Sequence, residues 1–407
     1  MTAMTMPVNY DEGRVGRITL PELMTGPGGK PVESAGDRDA CQIHLRRTFA
    51  KILYGTMPPP PDGLSVERIP LSSGVPGTVA EQWRIALTVG GRNLERPAVF
   101  WRPAKLDGPL PVICGLGFLG AAGVTPNKAV DLDETAHIDG FADAGVVEGR
   151  PTEAIRGVHK DRWPVDMITG AGFGLLVSGY GGWVPDHPDL WKKTGLWPLL
   201  QPMDAASPPG AIGLWAWALR RLIDALRGRP DIDGNRIYAA GHSRLGKAAL
   251  WAAANDVRVA GALINNAGCG GTSLSRRNYG ETLAHMTARF PHWLTPAAAD
   301  LAARPETLPV DQHQLLACLA PRRLYVASAS EDRWADPRGE YLALREAAPF
   351  WSFEDPGAKP PPAESVFHPG KAVDCGPLAW HLREGGHDLT RRDWRHFLNW
   401  LSPSKRP

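Results

Sequence analysis

Arg236-Ile-Tyr-Ala-Ala-Gly-His-Ser-Arg-Leu-Gly-Lys247 passes from a short β-favouring run, through Gly241 and Ser243, into a helix-forming stretch that continues to Ala254. A strand over Arg236–Ala240 followed at once by a helix over Arg244–Ala254 makes a sharp turn at Ser243. Small residues beside such a turn lift a serine Oγ clear of the backbone. The turn also sets backbone N–H groups and the positive end of the helix dipole beside any oxyanion that forms there, with Arg244 as an added cation. The pattern departs from G-x-S-x-G, because Leu245 holds the usual second-glycine position and Gly246 follows one residue later. A serine that merely caps a helix has the same local pattern.

The flanking chain supports a strand-turn-helix reading. Apolar runs bounded by Pro and Gly predict strands at Gln82–Val89, Ala98–Arg102 and Pro111–Phe118, the last buried on both faces. Phe173–Tyr180, Val259–Asn265 and Arg323–Ala327 read as further strands. Helices are expected at Ile212–Arg227, near Gln312–Leu319 and at Thr390–Leu401, with a short one near Cys41–Tyr54. Alternation at this spacing implies a mainly parallel central sheet with helices on both faces, a three-layer αβα sandwich; with the elbow at Ser243, the expected fold class is the α/β-hydrolase fold. The expected division is an N-terminal arm at 1–75 wrapping the core, then one catalytic domain at 76–407 with a loop insertion at about 119–165. Long loops without a clear period in compact enzymes usually serve the site.

Composition narrows the function classes. Hydrophobic residues are 43% and charged residues 22% of 407, and the formal charge is +2, which argues against nucleic acid or an anionic membrane as partner. The five cysteines lie far apart, with no CxxC pair for zinc or redox chemistry. No run of about 18 apolar residues suggests a membrane span. Met1–Glu12 has no basic segment followed by an apolar one, so no secretory leader is expected. A monomer without metal or cofactor is the expectation. Tryptophan is abundant, at fifteen: some must be core, but flat aromatics also line sugar clefts, and composition alone does not separate the two.

A serine nucleophile requires a base and an acid. Glu384-Gly385-Gly386-His387-Asp388 lies between the apolar run Leu378–Leu382 and the last helix, where two glycines let the loop fold over a site, so His387 is the candidate base. The acid that holds the imidazole tautomer and stabilises the imidazolium is expected to be Asp332, after the strand at 323–327. Glu331 and Asp336 are its neighbours and rivals. The order Ser243, Asp332, His387 is the one α/β-hydrolases use.

These blocks together resemble the glucuronoyl esterases, carbohydrate esterase family fifteen, and its bacterial branch in particular. Gly241-His-Ser-Arg-Leu-Gly-Lys247 is similar to that family's GCSRxGK elbow. Asn265–Gly271, Ser275–Thr282, Phe290–Trp293, Pro309–His313 and Glu331–Pro337 follow in the family's order, so the resemblance spans roughly residues 150 to 400. It implies a serine esterase acting on esters of glucuronic or 4-O-methylglucuronic acid, as in lignin–glucuronoxylan cross-links. It also implies that Arg244 assists the oxyanion and that Lys247, Glu281 and Trp334 hold the sugar. Relatives that degrade xylan are exported.

The residues read differently without the resemblance: Lys247 as an ion-pair partner of a loop, Trp334 as core, and Glu281 as a partner of Arg276 or Arg277. Two departures from the family stand out. Asn266 occupies the position where many members carry the acid as glutamate, and an amide supplies no charge, so Asp332 must serve. His242 stands where fungal members have the cysteine that bridges elbow and histidine loop. The competing functions are an esterase of the same fold for another carbohydrate or small aryl ester, and a uronate-binding protein without catalysis, for which Asn266 would be the ground.

Overall fold

The computed structural model describes residues 7–203, 206–354, 360–362 and 367–402. Residues 1–6, part of the stretch read for a leader, lie outside it. The strands are β1 (Gly63–Leu71), β2 (Thr78–Val89), β3 (Arg92–Pro103), β4 (Leu110–Gly117), β5 (Val146–Val147), β6 (Arg150–Pro151), β7 (Gly174–Gly179), β8 (Ile232–His242), β9 (Gly261–Asn265), β10 (Arg323–Ala329), β11 (Ala372–Cys375) and β12 (Leu378–Arg383). Ten of them form one sheet in the order β1-β2-β3-β7-β4-β8-β9-β10-β12-β11, while β5 and β6 pair as a separate hairpin. From β7 to β12 every neighbouring pair is parallel. An antiparallel meander, β1-β2-β3, continues the sheet at one edge and antiparallel β11 closes the other.

This is the mainly parallel α/β-hydrolase sheet expected from the sequence. The helices at Ala211–Arg227, Arg244–Ala254, Gln312–Ala317 and Pro337–Ala347 pack as one group, against one another and the central strands. Those at Val165–Gly170 and Arg391–Leu401 pack together and against β3, β7 and β12. Every residue of β4, β7, β9 and β12 is buried, as parallel strands covered on both faces must be.

The structure adds elements that the sequence reading lacked. Edge strand β1 falls inside 1–75, so the sheet begins before the expected end of the arm. Gly90 and Gly91 carry β2 into a β3 that starts at Arg92, well before the expected Ala98. The stretch read as an insertion holds the β5–β6 hairpin and short 3₁₀ turns. No helix among the described residues is long and apolar enough to cross a membrane.

Candidate active site

Ser243, Asn266, Asp332 and His387 follow the C-terminal ends of β8, β9, β10 and β12, which are consecutive neighbours in the sheet. That edge of an open parallel sheet is where ligands bind. Ser243 has φ 57° and ψ −130°, a conformation that costs a non-glycine residue about 1–3 kcal/mol and survives only where its surroundings impose it. Its N–H donates to Asn265 O at 3.0 Å, and Lys247 N–H donates to Ser243 O at 3.1 Å as the helix begins. Gly241 is obligatory, because a Cβ there would stand 2.3 Å from Leu245 O. Leu245, in the usual second-glycine place, is buried in the core.

His387 Nδ1 donates to Asp332 Oδ2 at 2.6 Å, with the imidazole 42% exposed and the carboxylate 2%. Asn266 Nδ2 donates to the same oxygen, also at 2.6 Å. Both rivals of Asp332 are placed elsewhere: Glu331 is exposed, and Asp336 caps the Pro337–Ala347 helix while accepting from Arg277 and Ser273. The histidine loop is gripped from behind by Arg383, which donates to the carbonyls of Glu384, Gly386 and Asp388 and pairs with buried Asp393. The His242 ring lies 4.5 Å from that of His387 and bonds Asn265 Oδ1 through Nδ1. Burial, helped by the neighbouring His387, keeps His242 neutral.

Arg244 donates to Asp186, approaches Asp139 at 3.3 Å, and lies over the rings of Trp293 (4.7 Å) and Phe290 (5.3 Å). Asp186 is fully buried and also accepts from Tyr180, His292 and Trp293. Burial alone would raise its carboxyl; Arg244, His292 and Trp293 outweigh that and hold it well below the usual carboxylate range. Burial likewise disfavours the Arg244 cation, but Asp186 more than compensates, so the guanidinium stays charged. Its buried Nε has no hydrogen-bond partner.

Ser243, Arg244, Lys247, Glu281, Trp334 and His387 line one cavity of about 290 Å³. Lys247 Nζ donates to Ala267 O at 2.6 Å and stands 3.8 Å from Glu281. Arg276 is committed to Asp311 and Arg277 to Asp336 and Glu12, so Glu281 faces the lysine instead. Trp334 is half-buried with its ring against His285. All seven residues singled out in the sequence therefore meet here. Asp186, His292 and the donor role of Asn266 were not foreseen. Among the described residues no cluster of His, Cys, Asp or Glu has the makings of a metal site.

A family profile described as "Glucuronyl esterase, fungi" matches residues 195–353. A carbohydrate esterase from an unknown prokaryotic organism is 32% identical over 96% of this chain and 90% of its own length. A glucuronoyl esterase from Solibacter usitatus superposes with a TM-score of 0.86 at 31% identity, covering 97% of this chain and 100% of that one. A promiscuous CE15 esterase from the marine bacterial metagenome gives 0.84 at 31% identity, covering 97% and 99%. The chain belongs to the CE15 family of carbohydrate esterases. It is a carboxylic ester hydrolase with bacterial CE15 relatives.

Within this CE15 chain the five cysteines are free, and the elbow meets the histidine loop through the His242–His387 ring contact. Asn266 is not an empty remnant of an acid: its amide clasps the carboxylate that binds His387. The 119–165 stretch reaches the site on two sides, with Asp139 at Arg244 and with Arg162, whose Nε donates to Asp388 at 2.6 Å beside His387.

Proposed function

We propose that this chain hydrolyses esters of glucuronic and 4-O-methylglucuronic acid, of the kind that join glucuronoxylan to lignin alcohols, through Ser243, His387 and Asp332, within a single catalytic domain. The 2.6 Å Asp332–His387 bond in the same cavity as the Ser243 elbow carries the reading. His387, held by Asp332 with its proton on Nδ1, takes the Ser243 proton on Nε2 as Oγ attacks the uronate carbonyl. Backbone N–H groups at the helix start and the Arg244 guanidinium receive the oxyanion. His387 then protonates the leaving alcohol, and water cleaves the acyl-enzyme by the same proton path.

Lys247 and Glu281 offer a donor and an acceptor to the ring hydroxyls, and Trp334 offers a face to the pyranose. A cation in a first helical turn opposes the dipole; the Ala267 carbonyl and Glu281 offset that cost. Rates on benzyl glucuronate and on an acetylated sugar test the proposal. A clear preference for the glucuronate is expected, and a clear preference for the acetyl ester would overturn it.

A further inference from the structure

Asn9 to Glu12 lie more than 250 residues before the loops they touch, as the separations of 269 and 265 between contacting partners record. Asn9 Nδ2 donates to Asn278 O at 2.5 Å, and Gly280 N–H returns a bond to Asn9 O at 2.9 Å. The Tyr10 ring meets Tyr279 edge-on at 6.1 Å and lies under the Arg333 guanidinium at 4.6 Å, and Arg333 also donates to Tyr10 O. The Glu12 carboxylate pairs with Arg277 at 2.8 Å and Arg338 at 3.3 Å. Arg277 in turn is bound to Asp336.

Apart from Arg338, which lies in the Pro337–Ala347 helix, those partners belong to two loops, 275–282 and 331–336, which hold Glu281 and Trp334. The loops touch each other closely: Glu281 N–H donates to Trp334 O at 2.8 Å. Gly280 has φ +61°, and a Cβ there would stand 2.4 Å from Arg333 O. Neither loop contains a long helix or a strand, so tertiary contacts fix where its side chains point. The N-terminal segment supplies contacts to both, one residue away from each sugar-facing side chain at Gly280 and Arg333. Apart from Asn9 the segment is largely exposed, which places it at the low-stability end of the structure.

We infer that Asn9–Glu12 is a strap that positions Glu281 and Trp334, and so sets affinity for the uronyl ring without entering the chemistry. The inference rests on the proposed sugar-holding role of those two residues. A loop that carries binding groups loses affinity when its supporting contacts leave it an ångström too loose.

The test compares Asn9→Ala/Glu12→Ala with the unaltered chain on benzyl glucuronate and on 4-nitrophenyl acetate, which has no ring hydroxyls to hold. The expected result is a KM for the glucuronate raised about five- to tenfold, kcat within about twofold, and unchanged acetate hydrolysis. Equal losses on both esters, or an unchanged KM, would overturn the strap. Glu281→Ala run alongside separates the two ideas: if it leaves the glucuronate KM unchanged, the sugar-holding reading falls and takes the strap with it. If Glu281→Ala raises KM and the strap variant does not, only the strap falls. Should the double variant fail to fold, Glu12→Gln removes just the half-exposed ion pairs, and a KM rise of about twofold, confined to the glucuronate, is then expected; no rise, or an equal loss on the acetate, would overturn the strap.

Discussion

Replacing Asp332 by asparagine isolates charge from geometry. Oδ2 of Asp332 accepts from His387 Nδ1 and Asn266 Nδ2, each at 2.6 Å, while Oδ1 faces the Ala335 N–H at 3.4 Å. An amide with its oxygen at the Oδ2 position keeps both short bonds, and its NH₂ meets only the distant Ala335 donor. What disappears is the negative charge beside the imidazolium that forms during attack. At an effective dielectric of about 20 and a charge separation of about 3–4 Å, that attraction is about 4–6 kcal/mol, or about three to four decades in rate. His387 is 42% exposed, so solvent screens part of it, and a fall in kcat of about two to three decades is expected. Initial rates on benzyl glucuronate across pH, with a melting curve to show the fold intact, give the measurement. A kcat within threefold of the unaltered enzyme, or a loss confined to KM, would refute the role of Asp332.

Arg244→Ala is expected to lower kcat by about two to three decades, with a smaller change in KM, as loss of an oxyanion donor does; steady-state kinetics in which KM takes the whole loss would place Arg244 in substrate binding instead. Asn266→Asp puts a carboxyl oxygen where an amide nitrogen now lies 2.6 Å from Asp332 Oδ2. Two carboxylates so close cannot both ionise, so one is raised in the folded state. The stability deficit against the unaltered chain should then grow as pH rises from about 4 to 8, and a pH-independent gap in melting temperature would count against it. Glu340, pushed up to about 7 by burial, holds in the folded chain a proton that the unfolded chain sheds near the ordinary glutamate value of about 4.5. Stability is therefore lost as pH rises between those values, by on the order of 3 kcal/mol. Glu340→Gln mimics the protonated acid, so its melting temperature should match the unaltered chain near pH 5 and exceed it at pH 8; parallel curves would show that Glu340 does not titrate there.

Local patterns with a local cause were legible in the sequence. The elbow announces itself because Gly241, Ser243 and the helix after it are contiguous, and β4, β7, β9 and β10 because buried parallel strands read as unbroken apolar runs. Other features depend on partners that sequence distance hides. Asp186 is one carboxylate in a loop, and nothing near it shows that Tyr180, Arg244, His292 and Trp293 converge on it. Strand β1 was masked by the Pro-rich stretch before it, by Pro70 within it and by its half-exposed edge position. The Pro337–Ala347 helix did carry a signal, Asp336 as cap and Pro337 in the first turn. Its Glu340 looks like a surface charge, yet it is fully buried and accepts from Gly268 N–H, Thr272 and Ser328.

The position of the proposed acid follows from the sheet. Parallel β9 and β10 run in register with Asn265 opposite Ala327, so the chain leaves both strands at the same edge, beneath the loop that brings His387 from β12. A carboxylate at the end of either strand is directed to that edge, and the imidazole needs only one. With asparagine after β9, the carboxylate stands on the loop after β10, and Asn266 donates to it. Asn266 has φ 45°, a left-handed conformation that asparagine tolerates better than most residues with a side chain. Its amide offers what a second carboxylate cannot: a hydrogen bond that stabilises the ionised Asp332 without repelling it. Its Oδ1 remains buried without a partner, a cost that the short bond from Nδ2 to a charged acceptor offsets.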